Sequence, residues 1–473
     1  MENKKFTSDI VIGLEIHVEL NTATKLFCGC PTSGSEDPNT RTCEVCLGFP
    51  GSKPVLNKKA LEFALRLALA LDCKINPELV FSRKSYFYPD MAKNYQISQY
   101  EIPLAVNGNL RLASGKSVGI TRVHMEEDPA SLIHPSGVGK SAYVLIDYNR
   151  SGNPLVEVVT EPDLESPDEA REFMNKLITI LSYLEIFDVK KGIIKADANI
   201  SIKESGYSRV EVKNVTGFKD IERALNYEVL RQKSEFKEGK KLVQETRSWD
   251  SDKGITSRLR LKETEADYGY IFDPDLVITD ISLSMIEEIK KAMPELAAEK
   301  IEKYIKKLKI PKVDAEVIAQ EKILADLFEK VSLKIDPILA AKWLRRELMR
   351  VVNYNKKELH DLELDETHLI DLLDLVQSKQ ITETTAQKLM EQLVEKPFNV
   401  KAYVKSENLA AVSDAKELEK FCKEAIAEAP QALKDYKSGN EKALHFVVGI
   451  VMRKTKGKAT PKEVNEILKK LVQ

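Results

Sequence analysis

In residues 9–20 the even-numbered and odd-numbered positions carry different sets of side chains. The even-numbered positions are all apolar, whereas the odd-numbered ones include Glu15, His17 and Glu19. Side chains of a β-strand point alternately to its two faces, so this pattern predicts a strand with one face in a core and the other carrying carboxylates and an imidazole. Like charges on one strand face repel each other unless a cation, a ligand or solvent separates them. The segment is therefore a candidate cation-binding or catalytic strand.

Similar segments recur downstream at 124–128, 155–159, 193–203 and 209–213. Any one of them is explained by an antiparallel sheet with a solvated face. Several such strands facing one way would instead line a polar concavity suited to a divalent cation and phosphate oxygens. Their acidic residues include Glu126, Glu157, Asp197 and Glu211.

Four of the six cysteines form two short pairs, Cys28 with Cys30 and Cys43 with Cys46, across a loop-forming segment. This spacing is typical of a tetrahedral four-thiolate zinc site, which has no open coordination position and so no catalytic role. Metal-free reduced cysteines and an iron–sulfur site are the alternatives. The polar residues 1–8 do not resemble a secretion signal, and we expect a cytoplasmic protein in which disulfides are rare.

The composition is that of a soluble globular protein, with 43% hydrophobic and 31% charged residues in a chain of 473. This length predicts two to four domains. The net charge of −2 provides no general attraction for nucleic acid, so any such binding must be local. The longest apolar stretch, 60–71, is too short to span a bilayer.

The predicted fold class is α+β: a strand-rich body over 1–295 that includes the zinc knuckle at 28–46, an all-helical domain over 296–405 and a small helical tail domain over 406–473. Helices are predicted in the body at 57–71 and 167–184. Helical periodicity predicts further helices at 300–308, 313–331, 337–352, 366–378 and 383–395. Residues 431–473 contain ten Lys or Arg against four Asp or Glu, a net charge of +6.

Two further motifs each allow more than one interpretation. Residues 134–141 resemble the end of a phosphate-binding P-loop, but His134 stands where the first glycine should be, and a strand rather than a helix is predicted at 142–147. The segment 82–98 interleaves Lys84 and Lys93 with Tyr86 and Tyr88. Such residues can clamp phosphates and stack on bases, although a loop with its aromatic rings in the core explains them equally well.

Taken together, these motifs resemble the B subunits of the glutamyl/aspartyl-tRNA amidotransferases. The resemblance runs nearly the full length of the chain. The tail resembles the tRNA-contacting domain of the family at 449–452 and 457–461. Elsewhere the resemblance is carried by VIGLEIHVEL (11–20), YFYPD (86–90), YQISQ (95–99), HMEED (124–128), DYNRSGNPL (147–155), DANIS (197–201) and EVKN (211–214).

The resemblance implies a cradle-shaped, kinase-like body that uses ATP to phosphorylate the side-chain carboxylate of Glu-tRNA(Gln) or Asp-tRNA(Asn). Ammonia made from glutamine by the separate amidase, or A, subunit then displaces the phosphate, and the small C subunit binds alongside. This chain has no Gly-Ser-rich stretch of the kind expected around a serine amidase nucleophile, which agrees with ammonia arriving from outside. The related archaeal E subunits carry an inserted domain that this chain lacks.

Residue roles follow from the resemblance. Glu15, His17, Glu126 and Glu157 are expected to bind Mg²⁺ and catalyse transfer. Because Mg²⁺ prefers oxygen ligands, His17 indicates Mn²⁺ or a ligand-orienting role. The expected ATP- and substrate-binding residues are Lys84, Tyr86, Tyr88, Lys93, Asp197 and Glu211. The expected tRNA-binding residues are Arg453, Lys454, Lys456 and Lys458.

One departure from the family is Gly269, which stands where the family motif has an arginine and puts the role of the loop 267–276 in doubt. A rival hypothesis also remains, in which the chain is a zinc-containing tRNA-binding scaffold whose acidic residues are structural. The basic tail fits both hypotheses, whereas the acidic strands with His17 fit only an enzyme.

Overall fold

The computed structural model describes residues 6–137, 141–188, 194–260, 268–411, 415–438, 440, 442–455 and 458–472. The chain divides into two compact units, Met1–Glu295 and Leu296–Gln473. The first unit is rich in strands and the second is helical, which confirms the predicted α+β class.

The strands all lie in the first unit as far as the chain is described. They are β1 (Ile10–Glu19), β2 (Lys74–Ile75), β3 (Glu78–Leu79), β4 (Ser82–Ser85), β5 (Tyr95–Ser98), β6 (Ala105–Arg111), β7 (Ser117–Glu127), β8 (Ser131–Ile133), β9 (Leu145–Asp147), β10 (Pro154–Thr160), β11 (Ile194–Ile202), β12 (Val210–Thr216), β13 (Glu245–Asp250), β14 (Ile255–Arg260), β15 (Ile271–Phe272) and β16 (Thr279–Asp280).

One large sheet carries the candidate residues. Its strand order is β14-β13-β12-β11-β1-β10-β7-β6-β2, so that β1 lies at the centre. The strands flanking β1, namely β10 and β11, both pair with it in antiparallel register. By contrast, β12 and β13 run parallel, and the chain between them forms a long helix, as parallel neighbours require.

The helices of the first unit are α1 (Lys58–Ala70), α2 (Pro167–Leu184), α3 (Phe218–Lys237) and α4 (Leu283–Ala292). The α2 helix has the predicted bounds, because Pro167 occupies its first turn and the Ser166 hydroxyl accepts a hydrogen bond from the Glu169 amide. Of these helices, α3 packs on β11 and β12, α1 packs on β7, and α2 contacts both α1 and α3. Apolar side chains of β1 such as Ile12 and Ile16 are fully buried.

The second unit contains α5 (Ala297–Lys306), α6 (Lys312–Gln320), α7 (Lys322–Ser332), α8 (Pro337–Trp343), α9 (Met349–Tyr354), α10 (Glu366–Gln377), α11 (Glu383–Glu395), α12 (Val400–Ser406), α13 (Ala415–Glu428), α14 (Pro430–Lys437), α15 (Lys442–Lys454) and α16 (Pro461–Val472). A π-helical turn over Leu344–Leu348 joins α8 to α9, as the predicted helix 337–352 requires. The predicted helix 313–331 is in fact two helices, α6 and α7, because Glu321 between them adopts an extended conformation. Helices α13, α15 and α16 share a cluster of buried apolar residues that includes Cys422.

Candidate functional site

Polar side chains from the central strands of the large sheet line a cavity of about 610 Å³. From residue 14 onwards the apolar residues of β1 are buried, whereas Glu15, His17 and Glu19 line this cavity, so the predicted alternation is confirmed over this part of the strand. Five strands of the large sheet, β1, β7, β10, β11 and β12, therefore contribute acidic or basic groups to one concave surface, and β4 adds Lys84. The predicted site residues that line it are Glu15, His17, Lys84, Glu126, Glu157, Asp197 and Glu211.

The centre of the cavity holds an imidazole between two carboxylates. Strand pairing places His17 opposite Glu157, and Glu157 opposite His124 on the next strand. The Nε2 atom of His17 lies 3.3 Å from Glu126 Oε1 and 3.7 Å from Glu157 Oε2. His124 Nε2 lies 2.8 Å from the same oxygen of Glu157. This arrangement offers three potential ligand atoms, from His17, Glu126 and Glu157, all within 4.8 Å of one another.

The electrostatics of this group favour ionised carboxylates. Burial alone would raise the pKa of Glu157, but His124 and His17 outweigh it and lower that pKa. Burial likewise opposes protonation of His17, yet Glu157 and Glu126 outweigh it and raise its pKa. Buried carboxylates beside an imidazole are the donor set that a divalent cation requires. The residues present therefore fit a metal ion.

A second acidic group lies beside the first. Potential ligand atoms of Glu15, Asp197 and Glu211 lie within 4.8 Å of one another. Lys213 Nζ lies 2.8 Å from Asp197 Oδ2 and 3.5 Å from Glu211 Oε1. Although burial opposes the charged form, these carboxylates raise the pKa of Lys213. The Thr246 hydroxyl donates to Glu211 Oε2 at 2.9 Å and helps to orient it.

Aromatic residues border the same cavity. Lys84 Nζ lies 4.6 Å from the centre of the Tyr268 ring, and Tyr100 stacks on Tyr270 at 4.1 Å. Between the two loop tyrosines, Gly269 has a φ of +50°, a conformation that an arginine adopts only with strain. The part of the loop 267–276 that the structure describes therefore contributes rings to the cavity in place of a guanidinium.

Three residues predicted to contact nucleotide or substrate are not among those lining the cavity in the described chain. Lys93 is almost buried and its ammonium lies 2.5 Å from Glu127 Oε1. The rings of Tyr86 and Tyr88 pack against each other with centroids 5.7 Å apart. In this structure Lys93 therefore forms an ion pair with Glu127 and does not line the cavity.

Sequence reasoning also missed several residues that line the cavity. His124 and Lys213 were visible as members of alternating strands but received no role. Arg122 and Thr246 had no signal, because their participation depends on strand pairing. The remaining cations of the cavity that were not assigned are Arg150, Lys195 and Arg209.

The predicted zinc cluster forms from Cys28, Cys30, Cys43 and Cys46, whose sulfur atoms all lie within 4.8 Å of one another. This geometry is compatible with a structural zinc ion. A hydrogen bond with Cys28 lowers the pKa of Cys46 to about 5, and the nearby Lys25 ammonium contributes to the shift. Lys25 is fully buried, with its Nζ 3.7 Å from Cys46 Sγ and 3.2 Å from the Tyr148 carbonyl oxygen.

The predicted tRNA-binding residues lie at the end of α15 and just after it. Arg453 is exposed. Lys454 lies 3.2 Å from Glu424 Oε2 and 2.6 Å from Glu428 Oε1, and Lys458 donates to the Asn408 carbonyl oxygen. Lys456 falls outside the described residues.

Two sequence expectations concern other classes of protein. Residues 138–140 of the P-loop-like segment lie outside the described chain, and β9 accounts for the second half of the strand predicted after it. No helix in the described ranges is both long enough and apolar enough to cross a bilayer.

Comparison with known proteins agrees with this geometry. The GatB/GatE catalytic domain model matches residues 10–287, and the GatB domain model matches 326–472. The chain is 42% identical to the B subunit of an aspartyl/glutamyl-tRNA(Asn/Gln) amidotransferase from Thermodesulfovibrio yellowstonii, over 98% of this chain and 99% of the relative. It is also 42% identical to the B subunits of the same name from a Thermoanaerobacter species and from Brevibacillus brevis, over 98% of each chain. The chain therefore belongs to the family of aspartyl/glutamyl-tRNA(Asn/Gln) amidotransferase B subunits.

Proposed function

We propose that this chain activates the side-chain carboxylate of Glu-tRNA(Gln) or Asp-tRNA(Asn) with ATP and then converts it to the amide. The ammonia comes from glutamine through the partner amidase (the A subunit), and the small C subunit completes a cytoplasmic complex. The observation that carries this proposal is the cavity in which His17 lies between Glu126 and Glu157, beside the acidic group of Glu15, Asp197 and Glu211.

The reaction has two steps. A carboxylate oxygen of the aminoacyl group attacks the γ-phosphorus of ATP, the bond to the β–γ bridging oxygen breaks, and ADP leaves with the bonding electrons. Ammonia then attacks the acyl carbon of the resulting acyl phosphate. Phosphate departs, a proton is lost from nitrogen, and the amide remains. Phosphorylation is needed because phosphate is a far better leaving group than oxide.

Glu126, Glu157 and His17 would hold one divalent cation, Mg²⁺ or Mn²⁺. Glu15, from the neighbouring acidic group, would also help to bind this cation. When bound, the cation would neutralise part of the negative charge on the phosphates. His124 keeps Glu157 ionised and oriented through the 2.8 Å contact. Asp197 and Glu211, held by Lys213 and Thr246, would bind nucleotide through a second cation.

Lys84 would contact phosphate or the acyl end of the tRNA from the rim of the cavity. Its ammonium already lies over the Tyr268 ring, and the stacked Tyr100 and Tyr270 offer flat surfaces for a base or ribose. Tyr86, Tyr88 and Lys93 lie outside the cavity lining, so they would contact the substrate only where the substrate extends beyond the cavity. Lys93 forms a buried ion pair with Glu127 there.

The rival scaffold hypothesis requires the acidic residues to be structural. A structural role does not explain why two groups of carboxylates face one cavity, where their like charges repel each other and are offset by Lys213 and the two histidines only in part. The enzyme hypothesis is therefore the better supported of the two.

The direct test follows phosphate. The complex assembled with its amidase partner, supplied with misacylated tRNA and ATP labelled at the γ-position but no ammonia donor, should form tRNA-bound label, which ammonium then releases as amide formation proceeds. ATP hydrolysis that never labels the tRNA would contradict the activation step and favour the scaffold.

The second unit is proposed to divide into a helical domain, 296–405, and a basic tail domain, 406–473. The shared apolar cluster of α13, α15 and α16 supports a separate core for the tail. Its net positive segment 431–473 would contact the tRNA backbone, where lysine and arginine bind phosphates.

Substitution of Arg453 should weaken tRNA binding. Arg453 is exposed and placed to contact a phosphate directly, so Arg453→Gln should raise the Kd for tRNA by about threefold and reduce the salt dependence of binding by about one ion. Arg111→Gln is the matched control, because Arg111 is an exposed arginine on β6, outside the basic tail. Equal Kd values for wild type and Arg453→Gln, measured across a salt series, would remove Arg453 from the interface.

A further inference from the structure

Arg122 lines the cavity but has no role in the function proposed so far. Its position depends on an irregularity in the sheet. The pairing of β7 with β10 shifts by one residue, with Arg122 opposite Val159 but Ile120 opposite Thr160. Thr121 is therefore an extra residue on β7, a β-bulge. Bulges of this kind re-aim the side chains that follow them.

The bulge changes which residues of β7 enter the core. Before it, the buried apolar positions are Val118 and Ile120, and after it they are Val123 and Met125. The side chains that alternate with Val123 and Met125 on this part of β7 consequently face the cavity. Arg122 thus joins His124 and Glu126 on the cavity surface.

The guanidinium of Arg122 has no hydrogen-bond or ion-pair partner among the described residues. Its Nε is buried without a hydrogen-bond partner, and the residue forms no ion pair within the part of the chain that the structure describes. Two other cations of the cavity differ from Arg122 in being paired: Arg150 bonds to Asp128 through two nitrogens, and Lys213 bonds to Asp197. A buried polar group without a partner is costly, so its presence in a cavity indicates an anionic ligand.

Arg122 also lies next to the metal-binding group. Glu157 is opposite His124 and Val159 is opposite Arg122, so Arg122 and Glu157 are diagonal neighbours on one face of the sheet. Diagonal neighbours are about 7–8 Å apart at the backbone, which is within reach of a long side chain. A phosphoryl group located between the cation ligands and the guanidinium would contact both.

We propose that Arg122 is a catalytic residue that binds the transferring γ-phosphoryl group and stabilises its charge in the transition state. This inference rests on the proposed function. Two N–H groups of the planar guanidinium would donate to two equatorial phosphoryl oxygens, and no proton changes owner. A lysine could not reproduce this paired donation, because its ammonium is a single point charge.

The test compares Arg122→Gln and Arg122→Lys with wild type in the assembled complex. Single-turnover transfer of labelled phosphate from ATP to misacylated tRNA should fall on the order of 10²-fold in Arg122→Gln, with a smaller loss in Arg122→Lys. The KM for ATP should change by less than about threefold, because the interaction forms mainly in the transition state. Arg111→Gln, an exposed arginine on β6, is the control and should transfer phosphate at the wild-type rate.

Chemical rescue separates catalysis from structure. Added guanidinium ion should restore part of the transfer rate in Arg122→Gly but not in Glu126→Gln. Transfer by Arg122→Gln within threefold of wild type would overturn the proposal, and so would an Arg122→Gly variant that is slow, retains the wild-type Tm and does not respond to guanidinium. If the wild-type complex transfers no phosphate, the proposed function itself fails, and the two failures are thereby distinguished.

Discussion

Glu126→Gln is expected to abolish phosphorylation of misacylated tRNA while leaving tRNA binding intact. The substitution keeps the size of the side chain but removes the negative charge whose Oε1 lies 3.3 Å from His17 Nε2. A neutral amide is a poor ligand for the cation that we propose offsets phosphate charge. The single-turnover rate of phosphate transfer should therefore fall by at least about 10²-fold.

The measurement pairs this rate with the Kd for tRNA. Glu204→Gln, on the exposed turn after β11, is the control for loss of one carboxylate and should match wild type. Persistent tRNA binding without phosphorylation would exclude the scaffold hypothesis. Phosphorylation at the wild-type rate would instead remove Glu126 from the transfer site.

Alternation along a single strand was readable from the sequence because it depends on neighbouring residues only. The bounds of β1 and its cavity face with Glu15 and His17 were predicted in this way and are confirmed. The distance between His17 and Glu126 was not predictable from alternation. It depends on β10 lying between β1 and β7, a pairing between segments more than a hundred residues apart. Only the family resemblance placed these residues in one site.

Irregularities account for what the sequence did not reveal. The bulge at Thr121 breaks the period of two, and strict alternation would assign Arg122 to the same face as the buried Ile120. The α3 helix was missed for two reasons. It starts after Gly217, which has no side chain to cap the helix, and its surface is largely charged. The α4 helix is short and was also missed.

The Lys93 result shows a related limit. Glu126 and Glu127 are adjacent in sequence, so they point to opposite faces of β7. Glu126 enters the cavity, whereas Glu127 accepts from Lys93 on the other side. From the sequence alone, Lys93 could have contacted either face of β7. The position of Glu127 on the strand determines which face it contacts.

Loss of the zinc site is expected to destabilise the first unit. The fully buried Lys25 ammonium has two hydrogen-bond acceptors, Cys46 Sγ and the Tyr148 carbonyl oxygen. A zinc ion bound by Cys46 and the other three thiolates would join the two cysteine pairs beside this ammonium, and structural zinc sites contribute directly to the free energy of folding. Cys43→Ser should therefore release the zinc and lower Tm by about 10 °C.

Zinc content by metal analysis and Tm by calorimetry test this prediction on the same preparations. Cys73→Ser is the matched control, since Cys73 is buried near the end of α1 and is not part of the four-cysteine cluster. It should keep its zinc and lose much less stability, because only a buried sulfur is replaced. A chelator should lower the Tm of wild type towards that of Cys43→Ser, since both remove the zinc ion. Zinc-free Cys43→Ser with an unchanged Tm would mean that the four sulfurs do not stabilise the fold through a metal.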